Sequence, residues 1–186
     1  TMHRIALGLE YDGAPFSGWQ IQSSSELETL QGKVEQALSK VANQPIKTFC
    51  AGRTDAGVHA TNQVIHFDAS INRGVKAWTI GVNSLLPPSI RIRWARDVDE
   101  SFHARFSAIA RRYQYLIYSQ KIKSPLLWQK AVQIPEELDV SLMNQAALAL
   151  IGEHNFSAFR AAGCQSRSSQ RNVMAANWYK KGPFII

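Results

Sequence analysis

The apolar positions of this chain change period several times within the first hundred residues, and each change predicts an element. Ile5, Leu7, Leu9 and Tyr11 alternate with small or polar neighbours, the period of a half-buried strand, and Asp12-Gly13 closes it as a turn. Leu27, Leu30, Val34, Leu38 and Val41 then recur at three and four residues, the stripe of an amphipathic helix of about four turns. Ser25 and Glu28 have the spacing of a capping box at its start, and Asn43 and Pro45 stand at its exit. Strands are predicted over 46–51 and 63–68, a helix over 75–86 stopped by Pro87-Pro88, and a strand over 90–98.

Strand, helix, strand, strand, helix, strand is the order of a split β-α-β unit, an antiparallel sheet with helices on one face. The pattern starts again in the second half. A strand is predicted over 112–118, a helix over 139–151 ended by Gly152, and a strand over 172–180 turning at Lys181-Gly182, after which Pro183 to Ile186 opens a further strand. The expected class is therefore α+β: two tandem ferredoxin-like, RNA-recognition-like units sharing a mostly antiparallel sheet, the second truncated. The halves are placed at 1–105 and 106–186. A second copy needs more strand and helix than remain, so the chain is expected to be the N-terminal portion of a longer polypeptide; a C-terminal edge strand is the alternative.

Composition narrows the function. The chain has 186 residues, 45% of them hydrophobic, ample for a buried core. No apolar run approaches the roughly 20 residues that cross a bilayer, and the start lacks the layout of a secretory signal, so a cytoplasmic location with no membrane partner is expected. Twenty-one Lys and Arg against fourteen Asp and Glu give a formal charge of +7, a balance suited to a nucleic-acid partner. Many of these cations stand beside Phe, Tyr or Trp, which suits phosphate neutralisation together with base stacking. Cys50 and Cys164 are the only cysteines, and no Cys or His pair has zinc-site spacing, so no metal is expected.

The stretch from Ala51 to Ala60, Ala-Gly-Arg-Thr-Asp-Ala-Gly-Val-His-Ala, carries the most chemistry. It is predicted to connect two strands, and its glycines permit positive φ or close backbone approach. Arg53 and Asp55, two apart, face the same side if the chain is locally extended. A nucleophilic carboxylate must stay ionised in a partly dry site, and an adjacent guanidinium favours that state. The same pair also reads as a plain salt bridge bracing a glycine loop, and these residues alone leave both open.

Several segments together are similar to the TruA-type tRNA pseudouridine synthases over nearly the whole chain. They are Glu10-Tyr11-Asp12-Gly13 with Gly18-Trp19-Gln20, the loop from Gly52 to His59, Gly81-Val82-Asn83, Phe102 to Phe106, Arg112-Tyr113-Gln114-Tyr115, and Cys164 to Arg167 with Arg171-Asn172-Val173. The resemblance implies isomerisation of uridine to pseudouridine in the anticodon arm of tRNA, at positions 38 to 40, without cofactor or metal, by a homodimer. It makes Asp55 the nucleophile and Arg53 the residue that fills the gap of the flipped nucleotide and pairs with the carboxylate. Tyr113 is implied to stack on the target base. Phe102, His103, Ala104, Arg105 and Phe106, and Gln165, Ser166, Arg167, Ser168 and Ser169, match stretches that touch tRNA, and Arg73 and Lys121 are further RNA-binding candidates. The family's final motifs, including an active-site arginine, have no counterpart before Ile186.

Two other functions fit parts of the pattern. A non-catalytic RNA-binding module explains charge and fold, though not a carboxylate set in a glycine loop, where it repels phosphate. A carboxylate-dependent hydrolase needs a second acid opposite the first. Asp12 is the one nearby candidate, and it reads as a turn residue. His59 and His103, with no carboxylate partner visible, read as hydrogen-bonded structural residues.

Overall fold

A computed structural model describes residues 1–23, 26–162, 164 and 166–186. The protein is an α+β molecule with mixed sheets and few helices, and it divides into two compact units, residues 1–112 and 113–186.

In the first unit β1 (His3–Tyr11) is followed by α1 (Leu30–Ala42), β2 (Phe49–Cys50), β3 (Ala60–Ala69), a π-helical stretch (Ala77–Gly81) and β4 (Ile90–Val98). The strands form one antiparallel sheet in the order β2-β3-β1-β4. Period-two alternation sends Ile5, Leu7 and Leu9 of β1 and Ile65 and Phe67 of β3 into a single core, all of them completely buried. Leu30, Val34 and Leu38 of α1 are equally buried there, each stabilising the fold by about 1.5 to 3 kcal/mol, and Trp78 and Val82 add the second helical segment. Asn83 explains the Gly81-Val82-Asn83 motif structurally: its side chain bonds both the N–H (2.7 Å) and the carbonyl (2.9 Å) of Ile92, where the pairing of β1 with β4 shifts register.

Some boundaries differ from those the sequence predicts. α1 begins at Leu30 because Thr29, in extended conformation, accepts from the Gly32 N–H; Leu27 lies outside the helix and is exposed, and Ser25 falls outside the described residues. The helix ends where Asn43 takes the left-handed conformation at φ 52°. β2 is two residues long, because the segment before it is held by side chains: Thr48 gives its N–H and hydroxyl to Glu35, and its carbonyl accepts from Gln31. The helix expected over 75–86 is helical from 75 to 83, with the π-stretch at its centre.

The second unit has β5 (Ile117–Ser119), β6 (Val132–Ile134), α2 (Val140–Ala147), β7 (Gly152–Asn155), β8 (Gln170–Val173), β9 (Lys180–Lys181) and β10 (Phe184–Ile185). β6-β5-β10-β9 is a mixed sheet in which β5 and β6 run parallel, and β7 and β8 form a separate hairpin. Asp139 caps α2 by accepting from the Ser141 and Leu142 N–H groups. The strand expected over 112–118 starts only at Ile117, and the one expected over 172–180 is divided between β8 and β9. β6 (Val-Gln-Ile) is too short to show a period, and β7 (Gly-Glu-His-Asn) is polar, so hydrophobic periodicity reveals neither.

Candidate active site

The loop from Ala51 to His59 joins β2 to β3 and is fixed from several sides. At its entrance the Ala51 N–H donates to the Val64 carbonyl (2.8 Å), and the Gly52 carbonyl accepts from the Gln63 amide (2.6 Å). At its centre Thr54 is held twice. Its hydroxyl lies 2.8 Å from that of Tyr11, itself buried at the end of β1, and its carbonyl accepts from the Trp19 N–H at 3.0 Å. Gly18 has φ +85° and lies so close beneath Thr54 that an added Cβ would sit 3.0 Å from the Thr54 carbonyl. Residues 18 and 19 are in turn tied to the start of α1, whose Leu30 and Gln31 N–H groups donate to their carbonyls.

With Thr54 drawn inward, its neighbours point outward. Arg53 and Asp55 are both exposed, and the Asp55 carboxylate enters no ion pair among the described residues. The loop then turns back, with the Val58 N–H donating to the Asp55 carbonyl (3.2 Å) and Gly57 at φ +80°. Its exit is pinned by Gly13, whose N–H donates to His59 Nδ1 at 3.0 Å. A Cβ on Gly13 would lie 1.9 Å from the Val58 carbonyl, so only glycine fits. The separate sequence motifs 10–13, 18–20 and 52–59 therefore build one substructure.

His59 has a carboxylate partner that the sequence does not show: Asp12 Oδ1 lies 3.0 Å from Nδ1. A neutral imidazole uses Nδ1 to accept from Gly13, and a protonated one donates there to Asp12. Asp12 also accepts from the Ala14 N–H, as expected of a turn residue. His103 is likewise hydrogen-bonded, Nδ1 accepting from the Arg105 and Phe106 N–H groups at 3.2 and 3.4 Å.

The segment from Phe102 to Phe106 lies against the sheet face opposite the apolar core. Ala104 is buried and gives its N–H to His66 Nδ1 at 3.0 Å, and Arg4 reaches the Phe102 carbonyl at 2.9 Å. Phe49 stacks on His66, and the His103 ring stands edge-on to it at 4.5 Å. Burial, then the nearby His103 and Arg4 charges, push the His66 pKa down to about 4. Arg105 is exposed, its guanidinium over the exposed Phe106 ring. Arg53, Arg111 and Arg105 all act electrostatically on the Cys50 thiol, whose pKa burial nevertheless raises. A cationic surface thus adjoins the loop. Arg111, which motif reading leaves as one basic residue among many, donates to the Ala51 carbonyl through both Nε (2.8 Å) and Nη2.

The other predicted positions are more scattered. Arg73 is exposed and touches the Ala42 carbonyl at 3.5 Å, and Lys121 is exposed. In the second unit Tyr113 is 71% exposed on a segment without regular structure. Ser166 accepts from Arg171 (2.9 Å), Ser168 accepts through its carbonyl from the Ser166 hydroxyl, and the Ser169 carbonyl accepts from Phe156. Arg167 is exposed, and Gln165 lies outside the described residues. A cleft of about 400 Å³ lined by His3, Arg4, Asn72, Asp97, Asp99 and Glu100 sits at the beginning of β1, at the strand end opposite Tyr11 and its loop. Among the described residues no three His, Cys, Asp or Glu side chains gather as a metal site, and no helix is long and apolar enough to cross a membrane.

Known proteins share this arrangement in sequence. A family described as tRNA pseudouridine synthase matches residues 9–107. The tRNA pseudouridine synthase A of Enterobacter sp. (strain 638) is 52% identical over 185 residues, covering 100% of this chain and 68% of the relative. That of Aeromonas hydrophila subsp. hydrophila is 52% identical over 183 residues, covering 98% and 67%. An Escherichia coli protein of the same name is 50% identical over 185 residues, covering 100% and 68%. With identity at this level over the whole chain, the chain belongs to the tRNA pseudouridine synthase A family of isomerases.

Proposed function

We propose that the protein converts uridine to pseudouridine at positions 38, 39 and 40 of the tRNA anticodon arm, with the Asp55 carboxylate as covalent catalyst. The observation that carries this reading is an exposed carboxylate at the family's motif position, on a loop whose backbone is held from both ends and beneath. A nucleophile needs that combination of access and fixed position. Attack is either on the uracil ring or on the ribose anomeric carbon. By either route the C1′–N1 bond breaks, the base turns, and a C1′–C5 bond forms. N1 gains a proton, C5 loses one, and the carboxylate is regenerated. The balance is that of an isomerisation, and no cofactor or metal is assigned to it.

The nucleotide must leave the stack to reach Asp55. Arg53 fills the gap it leaves and, with RNA bound, pairs with the Asp55 carboxylate, which forms no ion pair among the described residues of the free protein; Tyr113 stacks on the extruded base, a contact of about 1 to 3 kcal/mol. Phe102, His103, Arg105 and Phe106 contact the RNA backbone, as do Gln165, Ser166, Arg167, Ser168 and Ser169, with Arg73 and Lys121 at the margin; Ala104, expected from the motif to touch RNA, is buried against His66 and anchors the segment instead. In this reading the two units are tandem ferredoxin-like halves, each with its own sheet rather than the shared sheet expected from sequence, the acting species is a homodimer, and the site of action is the cytoplasm. The test is a map of pseudouridines in unmodified tRNA after incubation with the protein. New pseudouridine confined to positions 38 to 40 supports the proposal; bound tRNA left unmodified makes the protein an RNA-binding module instead.

A further inference from the structure

We propose that Arg111 is a positioning residue for the reaction, holding the root of the Asp55 loop in register with the segment from Phe102 to Phe106. The inference rests on Asp55 being the nucleophile. Ala51 is the residue through which β2 enters the loop, and both its backbone groups are committed: the N–H to β3 at Val64, the carbonyl to Nε and Nη2 of Arg111. The same Nη2 also lies 3.4 Å from the Arg105 carbonyl. One guanidinium therefore bridges the base of the catalytic loop and the 102–106 segment.

That segment is itself fixed to the sheet. His66 of β3 accepts from Ala104, and Arg4 of β1 donates to the carbonyls of Glu100 (2.5 Å) and Phe102 while its other nitrogens pair with Asp68 at 2.8 and 2.9 Å. The chain of contacts runs from the two central strands through the segment and Arg111 to Ala51, four residues before Asp55. Arg111 is exposed, so the tie contributes little to global stability and acts on geometry. Two nitrogens on one acceptor, one of them also reaching a second carbonyl, require the planar fork of arginine; an ammonium on a flexible stem reproduces the charge and only part of the grip. An exposed guanidinium is also open to a phosphate oxygen, and a simple phosphate contact is the rival role.

Single-turnover rates at saturating tRNA, tRNA Kd and amide hydrogen exchange over 53–58 in the RNA-free protein, measured for the parent, Arg111→Ala and Arg111→Lys, separate these roles. A displacement of about 1 Å at the reacting groups costs on the order of 100-fold. The expected result for Arg111→Ala is a rate about 10- to 100-fold lower, Kd changed by less than about threefold, and faster exchange in the loop. Arg111→Lys is expected to recover part of both. An unchanged saturating rate with a weakened Kd identifies a phosphate contact and overturns the proposal, as does unchanged loop exchange. If the parent makes no pseudouridine at all, the assigned activity fails, and the exchange measurement still decides whether Arg111 fixes the loop. Should the alanine variant fail to fold, the lysine variant supplies the same comparison.

Discussion

The two faces of the first sheet are built by different physics. On one, Ile5, Leu7, Leu9, Ile65 and Phe67 meet Leu30, Val34 and Leu38 of α1 in a dry apolar layer. On the other, the same strands present Arg4, Gly8, His66 and Asp68, and Phe49 of β2 stacks on His66. That side is covered by an aromatic and hydrogen-bonded layer: Trp94 against Gly8, and the 102–106 segment against His66. Gly8 permits this because a Cβ there would overlap the indole at 2.0 Å. The apolar face stabilises by burial and tolerates no voids. The polar face depends on directional bonds, is expected to respond to pH, and carries the residues next to the Asp55 loop.

The sharpest way to break this comparison is to damage each face separately. Leu38→Ala on the apolar face is expected to lower unfolding free energy in urea by about 2 to 5 kcal/mol. Acid should act on the other face. His66 titrates near 4 in the fold and near 6.5 when unfolded, so between these values the unfolded chain binds a proton that the folded one refuses. Stability from this residue is complete above about pH 6.5 and is lost progressively as pH drops toward 4. A urea series across that range that shows no decline places His66 in a wetter site than described. Thr29→Ala, which removes the cap of α1, should cost about 1 kcal/mol in the same assay. Arg53→Lys, on the exposed loop, should move stability by less than about 0.5 kcal/mol.

The legible part of the fold was the part made by apolar periodicity. Ile5 to Tyr11 and the stripe of Leu30, Val34 and Leu38 identify β1 and α1, because burial on one face imposes a period. Boundaries set by single polar groups were not legible. Thr29 displaces the predicted cap because its hydroxyl reaches Gly32, and β2 shrinks because Thr48 bonds Glu35 rather than a strand. In the second unit few side chains are buried, Ile117, Tyr118, Ala147 and Ile185 among them, so the three-residue β6 and the polar β7 left no pattern.

At the site, the loop and its outward Arg53 and Asp55 followed from motif and alternation. What converges on it did not. Tyr11 and Trp19 meet Thr54, and Asp12 meets His59, across chain separations that no local pattern encodes. Arg111 is chemically identical in sequence to the eleven other arginines, and only its reach to Ala51 distinguishes it.

The central claim is that the exposed Asp55 carboxylate does chemistry while contributing nothing to the fold. Asp55→Asn keeps the side chain's size and removes its nucleophilic oxygen. Pseudouridine formed in a single turnover, measured together with tRNA affinity and unfolding midpoint, tests the claim most directly. The account predicts no detectable product with affinity and midpoint unchanged; product at a rate within about tenfold of the parent would contradict it.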